Sequence, residues 1–96
     1  MTVRFLSAAE GEMVAAARYY ESQTPGLGRR FLLQLENTIG AIVAHPQAGT
    51  QLDKNIRRRL LRTFPFALLY AEPPGEIVVV AVMDLRRDPN YWKGRI

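Results

Sequence analysis

A chain of 96 residues, 48% apolar and 23% charged, can build one modest folded core. It has no cysteine, which excludes disulfides, thiolate chemistry and cysteine-bound zinc. Its net charge of +4 is lopsided: residues 1–48 set four cations against four acids, whereas residues 49–96 set nine against five, a field suited to nucleic acid or to an acidic protein segment.

Taken in order, TVRFL (2–6) alternates weakly, with Val3 and Phe5 on one face, and suits a short strand. SAAE (7–10) has the form of a capping box, Ser7 and Glu10 each satisfying the other's backbone N–H. Ala9, Met13, Ala16, Ala17 and Tyr20 then form one helical stripe, with Glu12, Arg18 and Glu21 off it. TPG (24–26) predicts a new helix, with Thr24 as N-cap and Pro25 at the first helical position. Its apolar residues Phe31, Leu35, Ile39 and Ile42 recur at helical spacing, and Pro46 ends it. So short a link makes the two helices an antiparallel hairpin.

Residues 46–55 read as a polar loop, and then the periodicity changes. IRRRLLRTF (56–64) is β-like but densely basic, and FALLYAE (66–72) sets Phe66, Leu68 and Tyr70 on one face. EIVVVAVM (76–83) is almost wholly apolar, as a central strand covered on both sides would be. The predicted order is β-α-α-β-β-β: an α+β fold in which a helical hairpin backs a small antiparallel sheet, with residues 1–96 forming one domain. The longest clean apolar run, 77–83, is far below the roughly 20 residues of a membrane span. The opening MTVRFLSAAEGE lacks the basic-then-apolar order of a signal peptide. The chain therefore reads as cytoplasmic, without a membrane partner.

Much chemistry is missing. His45 is the only histidine and stands in a helix's last turn, so neither a histidine metal site nor a Ser-His-Asp triad assembles easily. The glycines match no nucleotide-binding fingerprint. No cofactor and no metal are expected.

Two constellations remain. One is Lys54, Arg57, Arg58, Arg59 and Arg62; in an extended strand Arg58 and Arg62 share one face, Arg57 and Arg59 the other. Such a strand is either a solvated edge or a binding surface. The other is the tail RRDPNYWKGRI, with Arg86, Arg87, Tyr91, Trp92, Lys93 and Arg95. Its aromatics either stack on bases between phosphate-binding cations or fold back to seal the sheet, with Arg86 and Arg87 paired to Asp84 and Asp88.

In sequence the chain resembles the RelE/ParE superfamily of small bacterial toxins from type II toxin–antitoxin, or plasmid-stabilisation, systems. The resemblance runs through YYE (19–21), LGRRF (27–31), IVAHPQAG (42–49), RRRLLRTFPFALLY (57–70) and IVVVAVMDLRRDPNYWKGR (77–95). It implies a growth inhibitor neutralised by a cognate antitoxin, whose acidic, partly helical C-terminal segment lies over the toxin's helices and sheet in a hetero-oligomer. The superfamily splits by target. RelE-like members cut messenger RNA on the ribosome, using cations around the scissile phosphate, and their third strand commonly reads aromatic-Arg-aliphatic-x-Tyr. Here that arginine position holds Ala67, Leu60 stands where a lysine is usual, and Met83 where many relatives have histidine. Arg58, Arg86 and Tyr91 would have to carry a ribonuclease. The departures favour the ParE-like branch, which traps DNA gyrase. Arg58, Arg59, Arg62, Arg86, Arg87, Tyr91, Trp92 and Arg95 are then target- or antitoxin-binding residues; a third reading is an inactive toxin fold kept as a binding module.

Overall fold

The computed structural model describes residues 1–96. Strand β1 (Thr2–Phe5) leads into helices α1 (Ser7–Gln23) and α2 (Leu27–Ala44), followed by strands β2 (Thr50–Gln51), β3 (Arg57–Leu60), β4 (Phe66–Ala71) and β5 (Glu76–Asp84). The five strands form one sheet in the order β1-β5-β4-β3-β2. β2 to β5 are antiparallel neighbours, but β1 runs parallel to β5, so the sheet is mixed. The connection between the parallel strands β1 and β5 runs through both helices and strands β2, β3 and β4. No helix is long and apolar enough to cross a membrane.

Both predicted helices are present, and their apolar stripes build the main core. Ala9 and Ala16 of α1 and Phe31, Leu35 and Ile42 of α2 pack on Phe66, Leu68, Tyr70, Ile77, Val79 and Val82 of the sheet. Tyr20, Phe31, Phe64 and Phe66 form an aromatic knot with ring centroids 4.8–6.1 Å apart, in the edge-on and tilted range that adds to simple burial.

The helix starts differ from their expected chemistry. Ser7 is the first helical residue and makes no capping box; Glu10 N–H donates to the Leu6 carbonyl at 3.0 Å, and Leu6 has the extended N-cap geometry. β1 runs into the helix with no spare residue, so the hydroxyl lies one position too late. Nor is Thr24 the second N-cap. It closes α1 through a bond to the Tyr20 carbonyl, and α2 begins at Leu27 after Gly26, whose φ of 87° suits a residue without Cβ. The Glu21 carboxylate caps α2 instead, accepting from Gly26 N–H and Gly28 N–H at 3.0–3.1 Å. Gly28 is needed for that closeness: a Cβ there would stand 2.5 Å from the Ala17 carbonyl oxygen.

The basic stretch 56–64 is a strand only over Arg57–Leu60, and residues 50–51, inside the expected loop, pair with it as β2. Arg62 therefore lies beyond the strand, and alternation cannot place it with Arg58. Pairing sets Arg57 and Arg59 opposite Tyr70 and Leu68, on the helix side, and Arg58 opposite Leu69, on the other side.

Candidate functional site: two faces of one sheet

The face away from the helices carries a second core: Ile56, Ala67, Leu69, Val80, Ala81, Met83 and Trp92. Residues 85–96 contain neither helix nor strand, yet they cover this face because Trp92 is driven into it, leaving 4% of the residue exposed. A buried indole N–H needs an acceptor, and Trp92 Nε1 donates to the Pro89 carbonyl at 2.6 Å.

Charge fixes the tail to the sheet. β5 is bulged: Leu69 pairs with Ala81 and Tyr70 with Val79, leaving Val80 without a partner on β4. β1 pairs only as far as Val79, so beyond it this edge of β5 has no strand beside it. Glu12 of α1 and Arg95 of the tail occupy that edge. The carboxylate accepts from Val82 N–H at 3.0 Å, while the Arg95 guanidinium donates to the Val80 carbonyl and to both Glu12 oxygens, each at 3.0 Å. Burial would raise the Glu12 carboxyl, but Arg95, Tyr91 and the Val82 amide together hold it below its ordinary value. Arg87 stands 3.7 Å from the same carboxylate and stacks on Tyr91, 3.9 Å from the ring centroid. Burial and the neighbouring Glu12 push the Tyr91 phenol up.

The expected site residues are thus scattered. Arg86 forms a bidentate pair with Asp84, at 3.0 and 2.7 Å, and lines a depression beside α1 with Tyr19 and Tyr20. Arg87 pairs with Glu12, not with Asp88, whose exposed carboxylate accepts from Asn90 N–H at 2.9 Å. Trp92 and Arg95 are committed to packing the tail. Arg58 is half-buried on β3 without an acidic partner. Ala67 and Met83 are cross-strand partners buried in the second core, where a guanidinium or imidazole would have no water. No group of three or more histidine, aspartate or glutamate side chains is placed to hold a metal ion.

The helix side presents a different surface. Between α2 and β3 runs a groove lined by Arg30, Arg59 and Arg62 together with Leu33, Leu60 and Thr38. None of the three arginines has an acidic partner, in contrast to Arg4, Arg57, Arg86, Arg87 and Arg95. Leu33 and Leu60 are 46% and 52% exposed. Beyond Arg58 the outer edge of β3 has no strand beside it, so backbone as well as cations is open there. Arg30 belongs to a helix face that carried no signal in the sequence; only the fold brings it to Arg59 and Arg62.

A sequence profile of the ParE toxin of the type II toxin–antitoxin system parDE matches residues 3–89. That span includes both helices and every strand except Thr2 of β1, and it ends before Tyr91 and Trp92. Among solved structures, the chain is similar to one described as the chromosomal ParDE TA system from P. aeruginosa, with TM-score 0.76 and 17% identity over 88% of this chain and 96% of that one. At that identity the likeness shows the fold. No curated protein matches the chain.

Proposed function

Because the chain belongs to the ParE toxin family of type II toxin–antitoxin systems, we propose that it arrests growth through DNA gyrase and not by cutting messenger RNA. The observation that carries this is the state of the tail-covered face. Where the ribonuclease branch sets an arginine, Ala67 lies fully buried, paired with Met83 across the strands in the apolar cluster that also holds Trp92. The groups that would compensate do not converge: Arg58 sits on β3, Arg86 is paired to Asp84 on the α1 side, and Tyr91 is half-buried against Arg87 and Arg95. Phosphodiester cleavage needs donors aimed at one developing charge, and losing one such donor commonly lowers the rate about 10²–10³-fold.

The neutralising partner is a cognate antitoxin with an acidic segment. The α2–β3 groove suits it: carboxylates meet Arg30, Arg59 and Arg62, apolar side chains meet Leu33 and Leu60, and an extended stretch adds to the open edge of β3. Purified toxin tested against gyrase supercoiling and against messenger RNA cleavage on ribosomes separates the two activities. Inhibited supercoiling with intact message is the expected result; cleaved message with unaffected gyrase would reverse the assignment.

A further inference from the structure

A cleft of about 770 Å³ opens on the tail side of the sheet and reaches β3 at Arg57, two residues from the Arg59 of the α2–β3 groove. One wall is the β2–β3 turn with Asp53 and Lys54, another the tail from Trp92 to Ile96, and Arg4 and Glu72 stand between them. Its apolar lining comes from Leu6, Ile56, Ala71, Val78, Trp92 and Ile96.

The charges in this cleft sort into satisfied and free. Arg4 pairs with Glu76, and Arg57 with Glu72 while donating to the Gly49 carbonyl. Asp53 is spent within its own turn, accepting from Asn55 N–H and Ile56 N–H at 2.9 and 3.0 Å. Lys54 and Lys93 remain, one on each wall, exposed and with no acidic partner within salt-bridge distance. They come from two basic stretches nearly forty residues apart in sequence, and the fold sets them across an apolar lining. Single-stranded nucleic acid fits this lining poorly. The one aromatic ring, Trp92, is almost wholly buried and leaves no free face for a base to stack on.

We propose that this cleft seats the target protein, taking an acidic segment whose apolar side chain rests on the lining while carboxylates meet Lys54 and Lys93. The proposal rests on the gyrase assignment and adds where the contact is made: antitoxin and target take opposite faces of the sheet. The variant that tests it is Lys54→Glu combined with Lys93→Glu, in the full chain. Both side chains are exposed, so the melting temperature should match wild type. Affinity for the cognate antitoxin should stay within about twofold, while inhibition of purified gyrase holoenzyme should weaken at least about tenfold, since like charges facing across an interface repel strongly. Lys54→Arg with Lys93→Arg should keep inhibition, because charge is preserved. Undiminished inhibition by the glutamate variant, or a comparable loss of antitoxin affinity, overturns the cleft as the target's seat. If wild-type protein itself leaves gyrase untouched, the target assignment fails first and the cleft's role in it falls with it.

Discussion

The two faces of this sheet are covered in physically different ways. On one, two helices lay down periodic apolar stripes, and twelve buried residues share the load. On the other, an irregular tail adds its own Trp92 to a cluster of seven buried residues and is held chiefly by that indole and one carboxylate–guanidinium pair. Distributed burial tolerates the loss of any one contact better than a few specific contacts do. The helix side is a scaffold with a groove along its edge, and the tail side is a lid built from a few points of attachment.

The sharpest break of this contrast is Ala67→Arg. Were the face an idle ribonuclease site, the arginine would add a catalytic cation. Because Ala67 is fully buried in the tail-side core, the substitution instead places a charge in an apolar cluster without a partner. The expected result is a protein that no longer melts cooperatively at growth temperature and gains no cleavage of message. A stable variant that cuts ribosome-bound message would show that the face still houses a nuclease site.

Trp92→Ala comes next. It should cost about 3–5 kcal/mol in chemical denaturation, the usual range for truncating a buried large aromatic. Amides of residues 85–96 should also lose protection from hydrogen exchange before those of α1 and α2. Equal loss everywhere would mean that the tail is integral to the main core and not a separately attached cover.

Smaller in free energy, and confined to the other side, is Arg59→Glu with Arg62→Glu. Titration calorimetry with the cognate antitoxin should show affinity reduced about 10- to 100-fold, with stability unchanged because neither arginine is paired. Unaltered affinity would remove the α2–β3 groove from the antitoxin interface.

The smallest expected effect is a pH dependence. Glu12 titrates below the ordinary carboxyl value of 4.5 in the folded state, so its contribution is fully present above that value. It is lost as pH falls through the depressed folded value. Glu12→Gln should therefore flatten the acid limb of the stability profile while leaving its neutral-to-basic limb parallel to wild type. An unchanged acid limb would show that another carboxylate dominates.

The helix-covered face was the legible one. Stripes such as Phe31, Leu35 and Ile42 repeat at helical spacing, and the run through Val78–Val80 announces a strand buried on both sides. The tail-covered face was not. Glu12 has the look of a solvated helix residue, and nothing near it in sequence shows that its partners lie 70 and 83 residues away, at Val82 and Arg95. Glu21 is similar: its capping of α2 depends on a tight turn at Gly26 that displaced the more obvious Thr24. Arg62 was misplaced because strand alternation was carried past Leu60, where the strand stops. Periodic burial leaves a trace in sequence, whereas single long-range polar contacts leave almost none.

The central claim, that this toxin-family chain acts on gyrase with its nuclease-side face sealed, is tested most directly in growing bacteria. The protein is induced without its antitoxin, and pulses of labelled thymidine and labelled methionine are followed in parallel. Thymidine incorporation should fall first while methionine incorporation persists. A collapse of methionine incorporation ahead of thymidine would contradict the account and place the target on the ribosome.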